Sequence, residues 1–163
     1  MAKSMNLNGS WGLTWAEGSS LMQPGFYTKK VLAGRQLFPA TVPAPIHTVL
    51  EEAGVIEDIN FGLNSLKARW VEEMFWIYRR TFTATAEMAE QSSWLIFEHI
   101  EFDAVVWLNG EEVGRHENAN RPAKFEITGK VREGENLLVV QTSTGMHGAA
   151  EKPAFDYHSG DIG

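Results

Sequence analysis

Two short segments constrain the fold of this 163-residue chain most strongly. Residues 75–82 (Phe-Trp-Ile-Tyr-Arg-Arg-Thr-Phe) combine bulky and polar side chains in alternation, which is typical of a β-strand. Residues 104–108 form a hydrophobic run that ends at Asn109-Gly110, the strongest short-range signal of a two-residue hairpin turn. Together the two segments predict an aromatic-rich antiparallel sheet whose turns depend on glycine.

Further short strands follow along the chain, with turn residues between them. Strands separated by turn signals every 8–12 residues or so are typical of a β-sandwich or barrel. In residues 34–46 three prolines predict irregular extended chain, and residues 46–54 predict one short helix capped by Gly54. The predicted strands cover residues 11–17, 75–85, 94–100, 104–108, 112–116, 125–127 and 136–144.

Length and composition predict one domain with its own core. A hydrophobic content of 44%, with six Trp and nine Phe, supports a core that needs no cross-links. The absence of cysteine excludes disulfides, thiolate metal sites and a cysteine nucleophile. Residues 137–140 are continuously apolar, so their strand is expected to be covered on both faces. We assign residues 6–163 to a single domain, and residues 1–5 to an N-terminal tail or an expression remnant.

The charge pattern narrows the range of partners. The net charge is −7, and adjacent basic residues occur only at Lys29-Lys30 and Arg79-Arg80, so we expect no binding to nucleic acid. No stretch approaches about 18 consecutive apolar residues, so we expect no membrane span. Residues 1–6 lack the apolar region of a signal peptide. The cellular location expected for the protein is therefore either the cytoplasm or the periplasm.

Five motifs occur in order along the chain. They are residues 38–56 (with Val-Pro-Ala-Pro-Ile-His), 70–82, 105–114 (with Leu-Asn-Gly), 118–122 (Asn-Ala-Asn-Arg-Pro) and 134–139 (Gly-Glu-Asn-Leu-Leu-Val). This series resembles family 2 glycoside hydrolases, most closely their β-mannosidase branch. In that family the corresponding region is the N-terminal sugar-binding domain. The resemblance implies an all-β, galactose-binding domain-like jelly-roll β-sandwich with one short helix, truncated before further domains.

The resemblance also implies what this chain lacks. A retaining glycosidase needs two carboxyls about 5–5.5 Å apart, and in the family both lie on a (β/α)8 barrel that follows an immunoglobulin-like domain. The sequence contains no Asn-Glu pair, the family's acid/base signature, and a barrel needs at least ~200 residues. We therefore expect no catalytic residue, metal or cofactor here. The full-length β-mannosidase- or β-galactosidase-type enzyme would hydrolyse the O-glycosyl bond of a β-glycoside.

The resemblance places substrate contacts in the C-terminal tail. In the family, the stretch corresponding to residues 155–160 reaches toward the barrel and supplies an acidic side chain to sugar hydroxyls. Asp156 is the nearest matching acid, followed by Asp161 and His158. Residues 158–163 (His-Ser-Gly-Asp-Ile-Gly) replace the Trp-Asp-Trp-Gly-Pro signature of β-mannosidases, so β-galactosidase- and β-glucuronidase-like members stay open. An ordinary polar loop is the alternative.

The remaining polar and aromatic residues are expected to be structural. The five histidines show no metal-ligand spacing, and Glu51-Glu52 and Glu72-Glu73 are expected on the solvated surface. Arg79 and Arg80 point to opposite faces of their strand, so one of them should pair with a carboxylate or with loop carbonyls. Most of the strand aromatics are expected in the core: Trp76, Tyr78, Phe82, Trp94, Phe97 and Trp107.

Three functions fit this sequence. The first is a non-catalytic N-terminal domain of a family 2 glycosidase that buttresses the barrel and contacts substrate. The second is a stand-alone carbohydrate-binding module, and the third is an interaction sandwich without a sugar role. The lack of a clear exposed aromatic row and the end of the chain at Gly163 favour the first.

Overall fold

The computed structural model describes residues 4–17 and 36–144. The strands are β1 (Gly9–Glu17), β2 (Phe38–Val42), β3 (Met74–Ala84), β4 (Trp94–Phe97), β5 (Asp103–Leu108), β6 (Glu111–Glu117), β7 (Ala123–Glu126) and β8 (Gly134–Ser143). The helices are α1 (Ile46–Glu52), α2 (Asn64–Lys67), a 3-10 helix (Arg69–Glu73) and α3 (Ala86–Glu90).

The strands form two antiparallel sheets. The larger sheet has the order β2-β1-β3-β8-β5-β6, and the smaller sheet pairs β4 with β7. The all-β prediction is therefore confirmed. The two sheets form a β-sandwich within residues 4–17 and 36–144. The expectation of irregular chain was wrong for Phe38–Val42, which is an edge strand. Pro39 is tolerated there because an edge strand keeps one side free of ladder bonds.

The helix content is higher than expected. The predicted helix forms as α1, and Gly54 (φ +69°) ends it with a Schellman motif in which Val55 N donates to Leu50 O at 2.9 Å. The prediction of a single helix was wrong, because α2, α3 and the 3-10 helix are also present. Each of them has only four or five residues, too few to show a helical period in the sequence.

The Asn-Gly hairpin is confirmed. Asn109 (φ 54°) and Gly110 (φ 87°) both adopt positive φ between β5 and β6, as a type I′ turn requires. Asn109 Nδ2 donates to Lys130 O (3.1 Å), and Asn109 Oδ1 accepts from Leu137 N (3.0 Å). The turn is thus tied to the start of β8 as well as closing its own hairpin.

The main core lies between the two sheets. Leu13, Trp76 and Leu138 of the large sheet pack with Leu95 and Phe125 of the small sheet, and all five are buried. The opposite face of the large sheet is also apolar, with Phe75, Ile77 and Val139 buried there. Because Leu137–Val140 are all buried, the expectation that this strand is covered on both faces is confirmed.

Tyr78 gives this core a dependence on alkaline pH. It lies in register with Leu13 and Val140, and burial raises its pKa to about 12. The unfolded phenol ionises near pH 10. Below about pH 10 the phenol is neutral in both states, and the contribution of Tyr78 to stability is complete. Between about pH 10 and pH 12 the unfolded phenol loses its proton while the folded one keeps it, so this contribution is lost as the pH rises.

We expect wild-type stability to fall by about 1 kcal/mol between pH 9 and pH 11 through this residue alone. The measurement is urea unfolding at both pH values for the wild type and for Tyr78→Phe, which has no proton to lose. Lysine titration affects both proteins equally, so the difference between their pH slopes isolates Tyr78. Identical slopes would show that Tyr78 ionises normally in the folded state.

Candidate functional site

The chain leaves β8 at one end of the large sheet, which we call the tail end. Register pairs place Glu17 beside Met74 and Asp103 beside Ser143 at this end. Thr144 Oγ1 donates to Glu72 O at 2.6 Å, which fixes the exit of the chain against the 3-10 helix. The tail end is therefore the point of attachment of the segment that was predicted to contact substrate.

The predicted substrate residues themselves are not placed by this structure. Asp156, His158 and Asp161 lie outside the described residues 4–17 and 36–144. No distance or hydrogen bond follows for them, and their assignment stays a prediction.

Four aromatic rings form a cluster at the tail end. Trp15 stacks on Phe38 with 5.2 Å between ring centroids, and it lies 5.5 Å from Trp76 and 5.7 Å from Trp70. Trp76 is buried and its Nε1 donates to Val71 O at 3.0 Å, which locks the 3-10 helix to β3. Such aromatic packing makes a rigid support at this end of the sheet.

Arg80 is a structural anchor on the core-facing side of β3. Its Nη1 donates to the carbonyls of Leu7 (2.9 Å), Asn8 (3.0 Å) and Ser10 (3.3 Å). Its guanidinium also lies 5.9 Å from the centre of the Trp11 ring. The prediction that one arginine of the pair binds loop carbonyls is confirmed, and Arg80 holds the start of β1 in place.

Trp94 corrects the expectation for the strand aromatics. Its side chain is 55% exposed, and Ile96 on the same face of β4 is 53% exposed. The small sheet turns Leu95 inward instead, where it is buried. Trp94–Phe97 are all apolar, so no alternation in the sequence could show which face lies outward.

The titratable groups of the described residues form no cluster that could hold a metal ion. No group of three or more His, Asp or Glu residues that could hold a metal occurs within 4–17 and 36–144. His99 and His116 contact only Glu101 (3.4 Å) and Asn118 O (2.6 Å) in the bonds described for them. The hydrogen bond from Arg115 lowers the pKa of Glu112 in a solvent-exposed ion pair.

Three of the four predicted surface acids, Glu51, Glu72 and Glu73, are half-buried, so the expectation was wrong for them. Glu51 is partly buried, and its Oε1 accepts from Ile59 N at 3.0 Å, so it fixes the loop after α1. Glu52 is exposed, as expected. Within the described part of the chain, no helix is long and apolar enough to cross a membrane.

Comparison with known proteins identifies the class of domain. Residues 14–159 match the family described as "Glycosyl hydrolase 2 galactose-binding domain-like". The matched range includes Asp156 and His158 but stops before Asp161.

Curated relatives and solved structures agree with this class. The chain is 33% identical to β-mannosidase B of Emericella nidulans over 68% of the chain and 13% of that protein. It is 31% identical to the β-mannosidase of Bos taurus over 79% of the chain and 13% of that protein. The β-D-mannosidase of Dictyoglomus thermophilum superposes with a TM-score of 0.72 at 29% identity, over 86% of this chain and 15% of that chain.

The β-glucuronidase of Bifidobacterium dentium shares the fold, with a TM-score of 0.63 at 24% identity, over 84% of this chain and 19% of that chain. The sandwich is thus the galactose-binding-like type that the resemblance implied. The chain belongs to the glycosyl hydrolase 2 galactose-binding domain-like family. It spans about an eighth of the length of the two curated relatives described above.

Proposed function

We propose that this chain is the non-catalytic N-terminal domain of a family 2 glycosidase. The observation that carries the proposal is the family match over residues 14–159. The superposition on a β-D-mannosidase over 86% of the chain supports it. Since the matched segments cover only 13% of the length of these two relatives, the hydrolytic carboxyls would lie in other domains of the same polypeptide.

The proposed substrate is a β-glycoside, cleaved at its O-glycosyl bond by the full-length enzyme. Relatives that match this chain carry the names β-mannosidase and β-galactosidase, which supports this class. In this proposal an immunoglobulin-like domain and a (β/α)8 barrel are the partners of the sandwich. The aromatic cluster at the tail end would provide the rigid support from which the tail reaches the barrel.

Within the tail we propose Asp156 as the main contact to sugar hydroxyls, with His158 and Asp161 contributing less. The family match covers Asp156 and ends before Asp161, which supports this order. The hydrogen bond from Thr144 Oγ1 to Glu72 O (2.6 Å) fixes the position at which the tail begins. Asp156 follows twelve residues later. A carboxylate is suited to the role, because it accepts hydrogen bonds from two hydroxyls of one sugar.

The test uses the protein encoded by the full reading frame, assayed on nitrophenyl β-mannoside, β-galactoside and β-glucuronide. We expect Asp156→Asn to lower kcat/KM by about 10- to 100-fold, the effect of losing a charged hydrogen bond. Asp161→Asn should have a smaller effect, and Glu90→Gln on the exposed end of α3 serves as a control without effect. Residues 1–163 alone should show no turnover.

Two results would contradict the proposal. Turnover by residues 1–163 alone would place catalysis in this domain. A reading frame that stops near residue 163 would remove the barrel. The exposed Trp94 favours the carbohydrate-binding module as the second candidate in that case. Glycan binding that disappears in Trp94→Ala would then establish it. An unchanged kcat/KM in Asp156→Asn would refute only the proposed contact.

A further inference from the structure

An open cleft lies where β1 and β3 separate. Their ladder runs from the pair Glu17–Met74 to the pair Gly12–Arg79, while the earlier residues of β1 pair only with β2 in the described registers. The resulting space has a volume of about 380 Å³, within the usual range for a small-molecule site. It is lined by Ser10, Trp11, Gly12, Leu37, Arg79, Arg80 and Thr81.

Arg79 lines this cleft, and its side chain has no described partner within residues 4–17 and 36–144. Its Nε is shut off from solvent and has no hydrogen-bond acceptor. Its register neighbours Gly12 and Val139 offer no polar side chain, and no carboxylate within residues 4–17 and 36–144 forms an ion pair with it. A buried donor without an acceptor costs free energy, so its presence at a cleft indicates a missing partner.

Arg80 also lines the cleft, but its side chain lies on the opposite, core-facing side of β3. Its described acceptors are the carbonyls of Leu7, Asn8 and Ser10, which are neutral and leave its charge uncompensated. The chain as a whole carries a net charge of −7, so an arginine at a cleft with no ion-pair partner among the described carboxylates departs from the general charge balance. Arg79 by itself is suited to a planar anion, because one guanidinium matches a carboxylate with two parallel hydrogen bonds.

The rest of the lining selects for hydroxyl groups. Ser10 and Thr81 are exposed at the cleft and can donate to or accept from a ligand hydroxyl. Among the described residues of the lining, Leu37 is the only one with an aliphatic side chain, and Trp11 is buried beneath the surface. We propose that this cleft binds a small hydroxylated carboxylate of the sugar-acid class, with Arg79 as the main contact. Binding here requires neither a barrel nor the tail.

A binding role and a structural role for Arg79 predict opposite effects on stability. An arginine that holds the fold together would destabilise the protein when replaced, as expected for Arg80. A buried donor kept for a ligand is unsatisfied in the ligand-free protein, so its removal should leave the melting temperature unchanged or raise it. Ligand should raise the melting temperature of the wild type only.

The experiment titrates the 163-residue chain with D-glucuronate, D-glucose and acetate, monitored by backbone NMR shifts. We expect saturable binding of glucuronate with shifts at residues 79–81, weaker binding of acetate, and none of glucose at the same concentrations. Arg79→Gln should weaken glucuronate binding by about tenfold or more. Arg115→Gln, which removes an arginine paired with Glu112 on β6, should bind like the wild type.

A second variant tests the hydroxyl recognition without touching a charge. Thr81 is exposed, so the Thr81→Val variant should fold normally. It should bind glucuronate more weakly than the wild type does and bind acetate with unchanged affinity. Equal binding of glucose and glucuronate, or unchanged binding in Arg79→Gln, would overturn the proposal. So would a melting temperature of Arg79→Gln several degrees below that of the wild type. Inorganic phosphate that binds more tightly than glucuronate would refute the carboxylate class.

Discussion

Replacing Asn136 with alanine is expected to lower the free energy of unfolding by about 3–5 kcal/mol. Asn136 is completely buried, and its amide makes four hydrogen bonds. Its Oδ1 accepts from Asn109 Nδ2 (2.9 Å) and Arg132 N (2.8 Å). Its Nδ2 donates to Arg132 O (2.7 Å) and Gly134 O (3.0 Å). Alanine would leave all four partner groups without their bond.

The size of this effect follows from the position of Asn136. Its amide links the turn at Asn109-Gly110 with the loop before β8, so the loss affects a central strand and a hairpin at once. A buried group that loses its partner costs about 1–3 kcal/mol, and relaxation of the loop recovers part of the sum. The melting temperature should fall by about 10 °C or more, measured by calorimetry.

The control variant is Asn60→Ala, which removes an exposed amide. It should change the free energy of unfolding by less than about 0.5 kcal/mol.

The isosteric variant Asn136→Asp separates hydrogen bonding from volume. It places an oxygen against the carbonyls of Arg132 and Gly134, so burial and these acceptors disfavour the charged form and raise the pKa of the new carboxyl. The deficit relative to wild type should therefore be largest above the raised pKa of the folded state, shrink as the pH falls from there towards the unfolded pKa of about 3.9, and stay constant below it. A deficit independent of pH would mean that the loop opens and hydrates the carboxylate.

The features that the sequence predicted correctly depend on local chemistry. The turn at Asn109-Gly110 can be predicted from the sequence, because a type I′ turn requires positive φ at both residues whatever the rest of the fold. Gly54 was readable for the same reason, since it ends α1 with φ +69°. The buried run Leu137–Val140 was readable because four consecutive apolar residues cannot all face one side of a strand.

The features that were missed depend on tertiary position. Trp94 lies outward because the small sheet covers one face only, and nothing in an all-apolar strand shows this. Phe38–Val42 forms a strand despite its proline because it happens to lie at the sheet edge. The alternation at Arg79-Arg80 predicted opposite faces, but which guanidinium finds acceptors is decided by residues 7–10, some 70 positions away. The proposed substrate residues rest on family resemblance, because a short acidic tail has no local signature of sugar binding.

Gly114→Ala is expected to destabilise the protein by about 3 kcal/mol through packing alone. A Cβ at Gly114 would clash with Cδ1 and Cε1 on the ring of Phe125. Phe125 is buried and meets Phe97 edge to face at 6.2 Å, so its ring cannot move away without disturbing the core between the sheets. The backbone of Gly114 lies outside the positive-φ region, so alanine meets no conformational penalty there.

Two further variants make this a test of the contact between β6 and β7. Gly129→Ala has open space around its Cβ but a φ of +74°, so its cost of about 1–2 kcal/mol is a backbone effect.

The variant Phe125→Leu tests the contact directly. Its shorter side chain relieves the clash, so Gly114→Ala should destabilise the Phe125→Leu protein much less than it destabilises the wild type. The same background should leave the cost of Gly129→Ala unchanged. A double-mutant cycle by urea unfolding measures both, and the coupling of Gly114 with Phe125 should reach about 1–3 kcal/mol. Additive effects at positions 114 and 125 would mean that β7 does not pack on β6 at Gly114, and the closure of the sandwich over this strand would be wrong.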